Sequence, residues 1–267
     1  MSKTISVCNQ KGGVGKTTTA INLSAFLSQS GKKTLIVDCD PQANATSGLG
    51  VDKKNIKYNT YDVIMQHIQP QEAVIPILIE NLFIIPSNIN LVGAELELVS
   101  VLGREFRIKN SIENLRSSYD FIILDCPPSL GLLTINALVG SHSILIPLQC
   151  EYFALEGVVQ LIDTIQRIKR SLNPVLEIEG VLLTMADHRT RFSTEIISDV
   201  RQYFNNKAYD TVIPRTIKLS EAPSFNKPIS LYEPFCTGAI KYKEFGEEFL
   251  RKQKCGIAGP LPSPNNR

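Results

Sequence analysis

Lys11-Gly12-Gly13-Val14-Gly15-Lys16-Thr17-Thr18 stands between a short apolar run at 4–9 and a stretch of helical spacing at 17–30. Three glycines in a strand-to-helix turn let backbone N–H groups close around an anion without Cβ clashes. A helix opening at Thr17 adds the positive end of its dipole. Lys16 is placed to reach the β- and γ-phosphates of a nucleotide, and the Thr17 hydroxyl to ligate Mg²⁺. The stretch therefore predicts a phosphate-binding loop for ATP or ADP with Mg²⁺. The common pattern G-x-x-x-x-G-K-[ST] asks for glycine at position 10. This chain has Gln10 there and adds a second lysine, Lys11. A flexible glycine-rich turn with incidental lysines is the bland alternative, and the strand–loop–helix setting argues against it.

Working outward, further apolar runs lie at 33–38, 82–86, 121–125, 143–148, 179–184 and 211–214. Most are rich in Ile, Val and Leu, as strands buried on both faces are. Helical stretches are expected at 91–100, 104–117, 156–171, 193–205 and 239–253, and Gly31 suits the left-handed residue that ends the first helix. Strand then helix, repeated, predicts a single α/β P-loop domain, its mostly parallel twisted sheet covered by helices on both faces. The domain is expected over 1–254, with a disordered tail at 255–267.

Two further signals fall at predicted strand ends. Asp38-Cys39-Asp40-Pro41-Gln42 follows the second run, and a parallel sheet presents such residues at its carboxyl edge, where ligands bind. One carboxylate there can join the metal's surroundings, Asp38 being a candidate, and one can orient an attacking water. A solvated turn with capping aspartates is the plainer reading of that segment alone. Phe121-Ile122-Ile123-Leu124-Asp125 has the form of a Walker B strand, with Asp125 near Mg²⁺, although such a run taken alone is common. Three signals at strand ends support one site.

The residues now quoted resemble the ParA/Soj family of chromosome- and plasmid-partitioning ATPases, within the deviant Walker A group that includes MinD and nitrogenase iron protein. The likeness runs over about positions 2 to 250. It includes 40–50, beginning Asp40-Pro41-Gln42-Ala43-Asn44, and 127–137, beginning Pro127-Pro128-Ser129. It also includes Gln149-Cys150-Glu151-Tyr152-Phe153-Ala154-Leu155-Glu156-Gly157 and Leu219-Ser220-Glu221-Ala222-Pro223-Ser224. The resemblance implies an ATP-dependent sandwich homodimer, slow ATP hydrolysis, and stimulation by a centromere-binding partner of the ParB type. It makes Lys11 the lysine that reaches the partner's nucleotide, Lys16 and Thr17 the phosphate and metal contacts, and Asp40 the carboxylate that positions water. It makes Asp125 the Walker B acid, acting on Mg²⁺ through water. Pro214 and Thr216 correspond to the adenine pocket, and Arg189 and Lys218 to contacts with the DNA backbone.

Composition sets limits on these expectations. At 267 residues the chain can bury a core without disulfide or metal. A net charge of only +2 announces no nucleic-acid binding by itself, so any basic footprint must be local. Between Thr184 and Lys227 seven basic residues face five acids, which charge alone reads as a solvated mixed surface. Non-specific double-stranded DNA is the partner that the resemblance adds, bound through phosphates and so indifferent to sequence. Where the family more often has arginine, Lys218 keeps the charge and loses the two-pronged grip.

The six cysteines form no CxxC pair, and the start of the chain has no signal-peptide pattern, which predicts a reduced, cytoplasmic protein; the resemblance implies that it is nucleoid-associated. Cys8, Cys39 and Cys126 read as small buried residues rather than a metal cluster, and the three histidines show no ligand spacing. Nothing before Thr4 holds a helix-turn-helix, so operator-specific binding is not expected. The alternative is a MinD-like cell-division-site ATPase, which needs an interfacial amphipathic helix. The proline-rich 254–267 segment is a poor candidate for one. An iron-protein role lacks paired cluster cysteines, and an amide-forming ligase or kinase role lacks an obvious substrate segment.

Overall fold

A computed structural model describes residues 2–151, 154–187 and 191–255. Eight strands form one sheet in the order β3-β4-β2-β5-β1-β6-β7-β8. They are β1 (Lys3–Val7), β2 (Thr34–Asp38), β3 (Ile75–Pro76), β4 (Leu82–Ile85), β5 (Phe121–Asp125), β6 (Ser143–Gln149), β7 (Glu177–Ala186) and β8 (Ala208–Pro214). All pairings are parallel except the short edge pairing of β3 with β4. All seven expected strands are present; β3, two residues long, was beyond any periodicity.

Alternation along each strand splits the core in two. In β5, Ile122 and Leu124 point into one apolar layer, and Phe121 and Ile123 into the other. In β6, Ile144, Ile146 and Leu148 join the first layer and Leu145 the second. The first layer is closed by α3 (Thr60–Ile64), α4 (Leu91–Glu97), α5 (Arg107–Glu113), α6 (Leu132–Gly140), α7 (Ala154–Ser171) and α8 (Arg191–Phe204). The second is closed chiefly by α1 (Lys16–Gln29), α10 (Ile229–Tyr232) and α11 (Thr237–Cys255). Two short helices, α2 (Asn44–Gly48) and α9 (Ile217–Glu221), follow the carboxyl ends of β2 and β8. Truncating a fully buried strand residue such as Ile123 costs roughly 2–5 kcal/mol.

Some boundaries differ from expectation. The 104–117 helix is a seven-residue α5 between two 3₁₀ turns, entered through Gly103 at φ 67°. Helix α6 was not anticipated, because Leu-Leu-Thr-Ile-Asn-Ala-Leu-Val-Gly is apolar on most sides and hides its period. Gly31 is left-handed at φ 77°, just past the end of α1, as expected. The expected tail, from 256 onward, lies outside the described residues, while Cys255 is the last residue of α11.

Candidate functional site

The carboxyl ends of β1, β5 and β2 lie side by side, in register at Val7, Asp125 and Asp38. The loop 8–15 leaves β1 and enters α1 through Gly15, whose backbone is left-handed at φ 88°. Gly13 is also left-handed, at φ 73°, so both positions suit glycine. Distant side chains brace the loop. Thr184 at the end of β7 donates its hydroxyl to the Val14 carbonyl at 2.8 Å, and Asn9 Nδ2 donates to the Pro147 carbonyl. Gln10 uses the place of the missing glycine differently: its Nε2 donates to the Gly157 carbonyl and to Gln160 on α7.

Lys16 is buried, and its Nζ donates to the Lys11 carbonyl at 2.9 Å, inside the loop. Burial pushes its pKa below the ordinary lysine value, and the neighbouring Asp125 carboxylate acts in the opposite sense. Thr17 and Thr18 follow in the first turn of α1. Lys11 points elsewhere: its half-exposed ammonium rests on Glu151 Oε2 at 2.6 Å, with Arg215 at 3.9 Å from the other oxygen. Gly12 is exposed, and a Cβ there would meet only Pro128, at 3.9 Å.

The three aspartates differ sharply. Asp38 is fully engaged: Thr46 donates to Oδ2 through its N–H and hydroxyl, and the Asp40 N–H donates to Oδ1. Burial raises its pKa to about 6 against those bonds. It holds the 39–46 loop in shape. Asp40 sits in that loop, 6% exposed, accepting from the Gln42 N–H at 2.9 Å. Asp125 is wholly buried, and neither carboxylate oxygen has a hydrogen-bond partner among the described residues. Burial pushes its pKa well up, the Asp38 charge adds to this, and the Thr17 hydroxyl, near but short of full bonding geometry, opposes it. An unpartnered buried carboxylate beside a threonine hydroxyl is an oxygen pair that fits a hard divalent cation such as Mg²⁺, and the Lys16 ammonium next to them suits anionic phosphate oxygens.

Relatives match the chain over nearly their whole length. The sporulation initiation inhibitor protein Soj of Bacillus subtilis is 52% identical over 248 residues, covering 93% of this chain and 98% of that protein. The chromosome partitioning protein ParA of Myxococcus xanthus is 47% identical over 252 residues, covering 94% and 89%. A family model described as an AAA domain matches residues 2–178.

The chain belongs to the ParA/Soj family of partitioning ATPases.

Solved structures extend the likeness beyond ParA/Soj proteins. Cobyrinic acid a,c-diamide synthase from Mycobacterium smegmatis, with bound ADP and magnesium, has TM-score 0.85 at 36% identity, covering 99% of this chain and 100% of that one. The cell division ATPase MinD of Pyrococcus furiosus has TM-score 0.77 at 25% identity, covering 94% and 99%.

Other ParA/Soj positions fall as follows. Pro214 ends β8 at the same sheet edge, paired with Ala186, and Thr216 caps α9 by accepting from the Leu219 N–H. Lys218, on α9, pairs with Glu221 at 3.0 Å and lies over the Tyr232 ring. Arg189 lies outside the described residues. Cys8, Cys39 and Cys126 are buried in a row across β1, β2 and β5, one residue past the strand ends. Burial and the neighbouring carboxylates raise Cys39 far above the ordinary thiol, and Cys126 is raised by its bond with Cys8 and by burial. Thiols so held are inert packing, and the described residues contain no cluster of metal-ligating side chains. No described helix is long and apolar enough to cross a membrane.

Residue reading missed the braces. Glu151 lies inside a quoted family run but received no role, and Thr184 carried no local signal at all.

Proposed function

We propose that this chain is an ATP-hydrolysing switch that partitions DNA. The observation that carries the chemistry is the buried, unpartnered Asp125 carboxylate beside Lys16 and Thr17 at the head of α1. In this reading the 11–18 loop cradles the phosphates of ATP, Lys16 binds their β- and γ-oxygens, and Thr17 with Asp125 holds Mg²⁺. The metal supplies charge neutralisation on the phosphates when bound. Asp38 fixes the loop that bears Asp40, and Asp40 orients water toward the γ-phosphate. Pro214 and Thr216 border the adenine.

Lys11 is parked on Glu151 rather than in its own cradle. An exposed ion pair is worth about 1 kcal/mol or less, so it is readily given up. We assign Lys11 to the nucleotide of a second copy, which makes ATP, not ADP, the ligand that favours a homodimer. Gly12 has open space in the single chain, so a bulky residue there is tolerated until a second copy approaches. The dimer binds duplex DNA through Lys218 and Arg189, without regard to sequence, and a ParB-type centromere-binding partner accelerates hydrolysis. The protein is then cytoplasmic and nucleoid-associated. The partitioning cargo follows the 52% and 47% identical relatives rather than the 36% identical diamide synthase.

The test pairs two variants. Asp40→Ala keeps ATP binding and loses most hydrolysis, while Lys16→Ala loses the nucleotide. Asp40→Ala with ATP gives a dimer by light scattering and binds unrelated duplexes at low salt. Unchanged turnover in Asp40→Ala, or the same mass in ADP and ATP, defeats the reading.

A further inference from the structure

Met185 has a left-handed backbone, φ 53°, inside β7 and one residue from its end. A side chain with a Cβ is crowded by its own backbone in that region, which is why such positions favour glycine. A costly conformation persists only where the surrounding structure enforces it, and such residues gather at ligand sites.

The kink changes the way the strand end faces. Val181 and Leu183 pack in the first apolar layer and Leu182 in the second, as alternation requires. Continued alternation would put Ala186 in the second layer. It lies in the first, and the register of β7 on β8 slips between Leu183 and Ala186. The backbone bonds reverse in the same place. The Thr184 carbonyl accepts the N–H of Cys150, just past β6, whereas the Ala186 carbonyl accepts the N–H of Arg215, just past β8, at 3.0 Å. Residues two apart in a regular strand face the same neighbour. Met185 is thus the extra residue of a bulge, in the place that glycine commonly takes.

The two residues beside the kink hold different parts of the nucleotide site. Thr184, 2% exposed, bonds the Val14 carbonyl, and its methyl carbon stands 3.8 Å from where a Cβ on Gly15 would sit. It braces the phosphate loop from the β7 side. Ala186 pairs with Pro214 and anchors Arg215, at the turn that carries Pro214 and Thr216. Without the bulge the Ala186 carbonyl would face β6, and the Arg215 N–H would lose its acceptor.

We infer that Met185 is a positioning residue for the nucleotide: its left-handed backbone sets the spacing between the phosphate loop, held through Thr184, and the 214–216 turn, held through Ala186. The second half rests on the adenine-side role proposed above for Pro214 and Thr216. Glycine and asparagine accept this conformation, and a β-branched residue resists it.

Calorimetric titration of the full chain with ADP and with GDP, each with Mg²⁺, tests this beside thermal melts. Met185→Gly and Met185→Asn bind ADP as the parent does. Met185→Val binds it about tenfold more weakly, because the kinked form becomes a minority of the free protein. Met185→Ala binds ADP more weakly than Met185→Gly and melts below it, the reverse of the usual order in a strand. Thr184→Val keeps the shape, removes the hydroxyl, and weakens ADP and GDP by the same factor, whereas Met185→Val weakens ADP more than GDP. Met185→Val also costs less affinity in the Thr184→Val background than alone, because one of its two routes is already cut. Unchanged ADP affinity in Met185→Val, or a loss in Met185→Gly, overturns the assignment. If Met185→Val does not fold, equal ADP affinity in Met185→Ala and Met185→Gly overturns it instead. Additive losses in the double variant overturn the route through Thr184. A parent that binds ADP and GDP equally removes the adenine-side role proposed above and leaves the Thr184 route standing.

Discussion

Asp125 and Glu179 are both buried carboxylates on neighbouring parts of one sheet, and they are treated in opposite ways. Asp125, at the carboxyl edge, has no hydrogen-bond partner among the described residues, and burial drives its pKa up. Glu179, on β7 toward the other edge, meets Lys3 at 2.7 Å and is also bonded by Ser143 and Gln253. Burial alone would raise Glu179, but the Lys3 charge and the three donors outweigh it and hold it below the ordinary glutamate value. Glu248 repeats the second pattern: it accepts the N–H groups of Asp210 and Thr211 and the Thr211 hydroxyl, with Lys252 at 3.3 Å. A saturated carboxylate contributes stability, and one left open contributes affinity for something that arrives later.

The largest effect that can break this contrast is at Asp125. Asp125→Asn is expected to lower Mg²⁺-dependent ATP turnover on the order of 100-fold or more. It should leave the ligand-free protein as stable as the parent or more so, because a buried unpaired charge is removed. Thermal melts beside turnover assays decide this, and a large loss of stability would place Asp125 with Glu179.

Next in size, Glu179→Ala removes the partner of three donors, Lys3, Ser143 and Gln253. A loss of roughly 2–4 kcal/mol in denaturant unfolding is expected, with ATP affinity unchanged. A change in ATP affinity of similar size would erase the distinction between the edges.

The pH dependence sharpens it further. Because the folded pKa of Glu179 is lowered, its contribution is fully present above the ordinary value of 4.5 and is lost as pH falls through the folded value. The stability gap between the parent and Glu179→Gln should therefore hold at neutral pH and shrink on acidification. A gap that widens in acid would reverse the assigned direction.

The smallest effect is on the surface. Lys218 and Glu221 are exposed partners, so Lys218→Ala should leave stability as in the parent. Under the DNA reading it weakens binding uniformly across sequences and reduces the salt slope by about one per site. Titrations on unrelated duplexes at two salt concentrations measure both, and a sequence-dependent loss would count against phosphate contacts.

How much of this was legible follows from the range of each interaction. The loop 11–18 and Asp125 could be read because their chemistry is packed into contiguous residues at strand ends. Thr184 could not, since its bond to Val14 spans 170 positions and its own neighbourhood is an ordinary strand. Helix α6 was hidden by being buried nearly all round. Helix α3 did leave a trace, the Asn59–Asp62 capping box, that hydrophobic spacing alone passes over. Asp38 and Asp40 stand two residues apart and look interchangeable in sequence. Only the bonds from Thr46 reveal that Asp38 is occupied with its own loop.

Glu248 has one more consequence, for solubility. An edge strand offers a row of N–H groups to which a foreign strand can add, and β8 is such an edge. By taking the N–H groups of Asp210 and Thr211, a single side chain from α11 removes two of the rungs such an intruder would climb. The opposite edge is β3, only two residues long and carrying Pro76, which has no N–H to offer. Both margins of the sheet are thereby poor templates for aggregation, which leaves growth by strand addition disfavoured even where many copies crowd together.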